Sequence, residues 1–333
     1  MSSKSTSLEK ILELTRVSAT RFVTTALPAA PVGSRGTFGG TLVAQSLLAS
    51  LHTVPVDFVP TSLHCYFVSG GDPSRKIFYE VQDLRHGKNF IHKHVRAYQS
   101  KRLVFTSAIL YAREKKDHDS LHFLKTIKSS ELPKPEKFKD AAELFKSQVV
   151  ENGNLERYGH LQAGFKEPSY AERFISSFHH SPIEYRFPQD MFYSHHPTDL
   201  LEKYARIRDP VTVKKTHDHD PSRTITPEND HRYNYVAFAY LSDSYFLLTV
   251  PYFHQLPMYS HKFSVSLDHC IHFHQLPRVN DWIYLQVRNP RSYWDKHVLQ
   301  GEYFNGQSGE IIASVSQEGL VVYDSEEEIK AKF

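Results

Sequence analysis

Two stretches of the chain repeat one order of elements, and that repetition constrains the fold more than any composition value. In the first, paired glycines open an apolar segment, Gly39-Gly-Thr-Leu-Val-Ala-Gln-Ser-Leu-Leu-Ala-Ser-Leu, with Leu42, Val43, Leu47 and Leu51 at helical spacing. Four segments rich in β-formers follow, from Ser62, Ile77, Phe90 and Leu103, separated by turn residues such as Gly70-Gly-Asp-Pro and Arg85-His-Gly. In the second, residues 233–248 read as a helix through Tyr235, Val236, Ala239, Tyr240, Phe246 and Leu247. Strands then begin at Ser264, Trp282, His297 and Ile311. A shift of 206 lays Ile77, Val81 and Tyr98 on Ile283, Val287 and Phe304; a shift of 207 lays Val104, Phe105 and Ser107 on Ile311, Ile312 and Ser314. The expected architecture is α+β, with two copies of a long helix followed by an antiparallel meander.

The expected boundaries are a first repeat over 8–113, a connector over 114–169, a second repeat over 170–325 and a tail over 326–333. Residues 8–16 read as a short amphipathic helix. Lys115, Lys116, Lys128, Lys134, Lys137 and Lys139 mark the connector as solvated, and the polar insertion 209–231 reads as a mobile loop. With 333 residues, 40% of them hydrophobic, the chain can bury a substantial core. Its 40 basic and 37 acidic residues are interspersed, so no charged arm for nucleic acid is present. No apolar run approaches the roughly 18 residues of a membrane span, and the first residues lack the apolar core of a signal peptide. Two cysteines, Cys65 and Cys270, fit a reducing compartment better than a disulfide framework.

One carboxylate stands out. Asp243 lies in a run, Arg232 to Leu248, that is otherwise uncharged after its first residue. An ionised carboxylate inside a buried helix is costly unless something hydrogen-bonds it. Ser266 and Gln317, on the strand-like segments downstream, are candidate partners, and the three together could hold a water. A carboxylate can draw a proton from that water as general base, while a hydroxyl and an amide fix its direction. On pattern alone Asp243 is either catalytic or a structural, hydrogen-bonded acid. Gly39 and Gly40 either admit a ligand to the free N–H groups of a helix start or allow the helix to pack closely.

Other chemistries fit less well. There is no Gly-x-Ser-x-Gly elbow, and Gly306-Gln-Ser-Gly reads as a turn. The pairs His179-His180 and His195-His196 and the run His217-Asp-His-Asp lack metal-ligand spacing, so no metal site is expected. Asp268 and His269 are strand neighbours and point to opposite faces, whereas Ser266 and Asp268 share one. Asp268 then either supports the site or caps the strand end.

Five motifs occur in order: Thr37-Phe-Gly-Gly-Thr-Leu-Val-Ala-Gln, Ser62-Leu-His-Cys-Tyr-Phe, Leu241-Ser-Asp, Ser266-Leu-Asp-His-Cys-Ile-His-Phe-His and Ser316-Gln-Glu-Gly. On these the chain resembles the acyl-CoA thioesterase II family, its peroxisomal members in particular. The resemblance implies a double hotdog fold, two hotdog units in one chain. It implies hydrolysis of fatty acyl-CoA by direct attack of water, with the family's Asp, Thr or Ser and Gln falling on Asp243, Ser266 and Gln317. Many members carry Thr where this chain has Ser266. Position 62 keeps a serine in the first repeat, but Leu110 stands near the counterpart of Gln317, so the first repeat is expected to be catalytically silent. No cofactor is implied, and a homodimer or higher homo-oligomer is. The ending Ala331-Lys332-Phe333 is a variant of the Ser-Lys-Leu address, which implies the peroxisomal matrix and an import receptor as partner. The rivals are a hotdog hydratase or dehydratase, which needs an Asp/His pair on one face, and an acyl-CoA binding protein without catalysis.

Overall fold

The computed structural model describes residues 7–114, 121–217, 220 and 222–333. The first repeat holds helices α1 (Leu8–Leu12) and α2 (Gly39–Leu51) and strands β1 (Leu14–Arg16), β2 (Arg21–Thr24), β3 (Phe58–Phe67), β4 (Phe78–His86), β5 (Phe90–Gln99) and β6 (Arg102–Arg113). The second side of the molecule begins with β7 (Lys139–Asp140), α3 (Ala141–Phe145), α4 (Asn154–Leu161), α5 (Pro168–His180), β8 (Ile183–Phe187) and β9 (Leu201–Ile207). It continues with α6 (Tyr233–Ser242), α7 (Val250–Phe253), β10 (Phe263–Ser266), β11 (Asp268–Phe273), β12 (Ile283–Tyr293), β13 (Lys296–Asn305), β14 (Ile311–Val322) and α8 (Glu326–Lys332).

The two sets of strands form one sheet, ordered β1-β2-β4-β5-β6-β3-β11-β14-β13-β12-β9-β8-β7, with β10 also on β14. β3 and β11 join the halves antiparallel, His64 directly opposite Cys270. The strands form as alternation dictates: β5 turns Ile91, Lys93, Val95, Ala97 and Gln99 inward and leaves His92, His94, Arg96 and Tyr98 half-buried. All of α2 but its first residue is buried, as is all of α6, because each is flanked by sheet on one side and by the other helix on the other. This is the double hotdog.

Two one-residue shifts matter for the site. The turn from β13 to β14 is two residues longer than that from β5 to β6, so β14 is offset from β6 by 208, not 207. Ile109, not Leu110, therefore stands where the second repeat has Gln317. The other shift is a bulge common to both repeats, at Thr61 in β3 and at Leu267 between β10 and β11. It places Pro60, not Ser62, at the counterpart of Ser266.

Elsewhere the sequence reading is corrected in detail. Residues 14–16 form a strand on β2 rather than continuing α1. The helix expected over 233–248 stops at Ser242, and Asp243 is its C-cap. Lys115 and Lys116 of the connector lie outside the described residues. From Phe138 onward the connector is not a solvated spacer, because β7 extends the sheet and Phe145, Tyr158 and Phe165 are buried. Phe145 and Phe165 join Phe174, Phe192 and Tyr259 in an aromatic cluster. The described part of 209–231 is also held in place: Val211, Ile225, Asp230 and His231 are buried, and Asp230 accepts from Arg223 and Arg232.

Candidate active site

Asp243 sits where α6 ends against the start of α2. Its turn is held firmly. Tyr245, two residues on, has φ 48°, a left-handed conformation that needs support from its surroundings. The support is direct: the buried Lys203 ammonium donates to the Tyr245 carbonyl, and the Tyr185 hydroxyl bonds Ser244 Oγ.

The carboxylate is 9% exposed, and the first turn of α2 closes over it. The Gly40 backbone N–H faces it and favours its ionised form. A Cβ on Gly39 would lie 2.7 Å from Asp243 Oδ2, so only glycine admits the carboxylate there. A Cβ on Gly40 would lie 2.6 Å from the Tyr240 carbonyl. The paired glycines thus let the helix start of one repeat meet the helix end of the other. The partly positive N-terminus of α2 is aimed at a negative group.

From the other side come the strands. Gln317 on β14 is fully buried, and its Nε2 donates to Asp243 Oδ1 at 3.1 Å and to Ser266 Oγ at 2.6 Å. The three residues singled out in the sequence therefore meet through one carboxamide. With that acceptance satisfied, the Ser266 hydroxyl has its own proton to donate.

His269 completes the arrangement, and sequence reasoning missed it. The bulge at Leu267 breaks the alternation, so Ser266 and His269 share the inner face. Asp268 turns away and accepts the Glu318 backbone N–H at 2.7 Å, a structural bond. His269 is fully buried, with Nδ1 3.2 Å from Gln317 Oε1 and Nε2 2.9 Å from Ser242 Oγ. Because the Gln317 amide group faces a carboxylate, its oxygen faces the imidazole, which puts a proton on His269 Nδ1. The signal available in the sequence was the bulge-prone Ser-Leu-Asp-His after a short strand, and it cannot be read without knowing the partner strand.

Electrostatics follow from burial. Desolvation raises the Asp243 pKa above the ordinary carboxylate value, while His269, Gln317 and Gly40 pull it back down. Burial lowers the His269 pKa, with Asp243 opposing, so the imidazole is held toward its neutral form.

Ala331, Lys332 and Phe333 lie at the end of α8, which has a Ser325/Glu328 capping box. Phe333 packs edge-on against Tyr158 at 5.1 Å and Tyr193 at 5.0 Å, and its carbonyl accepts from Arg157 Nε at 2.6 Å. Of the histidine pairs, His180 bonds Ser176 on α5 and His195 lies against Tyr193. Asp218 and His219 of the His217-Asp-His-Asp run, like Pro221, are outside the described residues.

A buried carboxylate and carboxamide and a half-buried hydroxyl thus meet between two hotdog units, the fold of a class of thioesterases. The chain belongs to the acyl-CoA thioesterase family. Two family models match it, "Acyl-CoA thioesterase N-terminal domain" over residues 26–112 and "Acyl-CoA thioesterase" over residues 210–320. It is 58% identical to the peroxisomal acyl-coenzyme A thioester hydrolase 1 of Saccharomyces cerevisiae, over 98% of this chain and 97% of that protein. It is 28% identical to acyl-CoA thioesterase 2 of Haemophilus influenzae, over 87% of this chain and 89% of that protein. Among solved structures, an acyl-CoA thioesterase II from Mycobacterium marinum matches with a TM-score of 0.63 at 22% identity, over 96% of this chain and 98% of its own. A hotdog-fold protein from Alicyclobacillus acidocaldarius matches with a TM-score of 0.60 at 14% identity, covering 95% of this chain and 98% of its own.

Proposed function

We propose that this chain hydrolyses fatty acyl-CoA to free fatty acid and CoA in the peroxisomal matrix, by direct attack of a water held among Asp243, Ser266 and Gln317. The observation that carries the mechanism is the shared carboxamide, which ties the acid and the hydroxyl to one point.

Asp243 takes a proton from the water as its oxygen bonds to the thioester carbon. General-base assistance of this kind is typically worth about 10²–10⁴ in rate. Ser266 and Gln317 fix the water's direction, and His269 fixes Gln317. The N–H groups proposed to steady the oxygen of the tetrahedral intermediate come from the first turn of α2, from Gly39 rather than from Gly40, whose N–H faces Asp243. Collapse breaks the C–S bond; the CoA sulfur leaves as thiolate and takes back a proton. A thiol of ordinary pKa, about 8.5, is a good leaving group and needs no strong acid.

An acyl-enzyme on Ser266 is disfavoured by geometry, since Ser266 Oγ is bonded to Gln317 and His269 faces Gln317 and Ser242 instead. The same bonds argue against the hydratase reading. His269 lies beside Asp243, as that chemistry asks, but both its ring nitrogens are engaged within the protein. The test is release of free CoA thiol from acyl-CoAs of increasing length, with enoyl-CoA hydration followed in parallel. Hydration without thiol release would replace the hydrolase by a hydratase, and binding without either reaction would leave a binding protein.

Ala331, Lys332 and Phe333 serve in this reading as the address for the import receptor, which requires them to leave Tyr158, Tyr193 and Arg157. A homodimer is the proposed assembly, to be checked by light scattering.

A further inference from the structure

The outer face of the sheet carries a second group of chemically capable side chains, at the seam between the repeats. His64 on β3 lies directly opposite Cys270 on β11, and the two are also 206 residues apart, the offset between equivalent positions of the repeats. The pair therefore stands on the pseudo-twofold axis of the molecule. His272, two residues beyond Cys270 on the same strand, projects from the same face. Cys270 Sγ is 3.2 Å from His64 Nδ1 and 3.6 Å from His272 Nε2, and the ligand-capable atoms of all three lie within 4.8 Å of one another.

We propose that His64, Cys270 and His272 form a binding site for one zinc ion that clips the two repeats together. With Zn–S near 2.3 Å and Zn–N near 2.0–2.1 Å, a tetrahedral ion sets its S and N ligands about 3.5 Å apart, close to the separations found here before any movement. One thiolate and two imidazoles are a ligand set that zinc favours and magnesium or calcium does not. Three protein ligands leave a fourth position for water, on the side of a cleft of about 430 Å³ whose polar lining includes Gln286, Gln300, Glu302, Ser314, Ser316 and the cationic Arg288.

The free site is compatible with loading. Burial, and the nearby His272, keep the His64 imidazole below its ordinary pKa and so supplied with a lone pair. Burial and Asp268 push the Cys270 thiol up to about 11, so the ion must displace its proton to solvent as the S–metal bond forms. None of the three residues touches Asp243, Ser266 or Gln317 through a hydrogen bond, which separates this site from the proposed hydrolysis. His64 comes from a strand far in sequence from the one that carries Cys270 and His272, so no spacing motif announces the full set.

Cobalt(II) is the direct probe. Added to the full chain, it should bind once per molecule with thiolate-to-cobalt charge-transfer absorption and the visible bands of a tetrahedral ion, and zinc should displace it. Cys270→Ser should remove the charge-transfer band while thioesterase turnover stays unchanged. His64→Ala should weaken binding at least about tenfold, the scale that even outer-shell partners of a metal contribute. A saturated cobalt complex without thiolate absorption, or one whose absorption survives Cys270→Ser, overturns the proposal. A second readout needs no variant: zinc should slow alkylation of Cys270 by iodoacetamide at least about tenfold, with recovery after chelation. Alkylation at the same rate with and without zinc overturns it as well. Cys65, at 2% exposure, does not compete in that measurement.

Discussion

The two repeats have the same helix, the same meander and even the same bulge, yet they differ at each point that faces the helix end. At the C-cap of the central helix the second repeat has Asp243 and the first has His52. Below it, the second has Ser266 and Gln317 where the first has Pro60 and Ile109. The first repeat is not idle. Its α2 gives the glycine start that closes over Asp243, while Arg232, just before α6, donates to the Val54, Pro55 and Phe58 carbonyls beyond the end of α2. One scaffold thus has two different ends: one with a hydrogen-bonded carboxylate, hydroxyl and carboxamide, the other with a histidine cap, a proline and an isoleucine in their places. A polar set of this kind costs stability unless every member is satisfied, which is a physical reason to keep it only once.

Replacing Asp243 with Asn should give the largest effect, a fall in kcat of about 10²–10⁴ with the fold retained, read by CoA thiol release. The same variant should melt higher at neutral pH. Its raised pKa means the folded state holds the Asp243 proton more tightly than the unfolded chain does. That contribution is full below the unfolded pKa and is lost as pH rises through the folded one, and Asn removes the loss. A lower melting temperature would contradict a desolvated acid. For the wild type, the acid limb of kcat/KM should rise with pH at a midpoint above the ordinary Asp range. A midpoint at or below that range would mean that another group is the base.

Making the second repeat resemble the first is the next test. Gln317→Ile should cut turnover about a hundredfold, in the range of losing one preorganised donor. It should also cost about 1–3 kcal/mol in denaturant melts, because Asp243 and His269 lose a buried partner. The reciprocal Ile109→Gln should leave turnover per folded molecule unchanged; a loss of rate there would show that the first repeat takes part in the chemistry. Ser266→Ala should cost about tenfold, the worth of one hydrogen bond of roughly 1–1.5 kcal/mol, and Ser266→Thr should recover most of it. Smallest is His269→Gln, expected to lower kcat several-fold and leave KM nearly unchanged, since His269 acts through Gln317 and through its field on Asp243, not on the substrate. An unchanged kcat would remove His269 from a positioning role.

Much of this was legible in the chain before its structure. The spacing of Leu42, Val43, Leu47 and Leu51, and the matching of Ile77 with Ile283 and Val81 with Val287, determined two helix-and-meander units. Local periodicity needs no tertiary information. The motifs around Asp243, Ser266 and Gln317 singled out three side chains that the fold brings together, because an uncharged run makes a lone carboxylate conspicuous. What only the tertiary structure decided is which neighbours those side chains have. In a strand a one-residue slip moves every side chain to the other face. The longer β13–β14 turn and the bulge at Leu267 therefore decided that Ile109 rather than Leu110 mirrors Gln317, and that His269 rather than Asp268 shares a face with Ser266. Contacts between the repeats lie beyond any local pattern as well. Gly40 against Asp243 and His64 against Cys270 join residues about two hundred positions apart, and only the pairing of β3 with β11 and the packing of α2 on α6 bring them together.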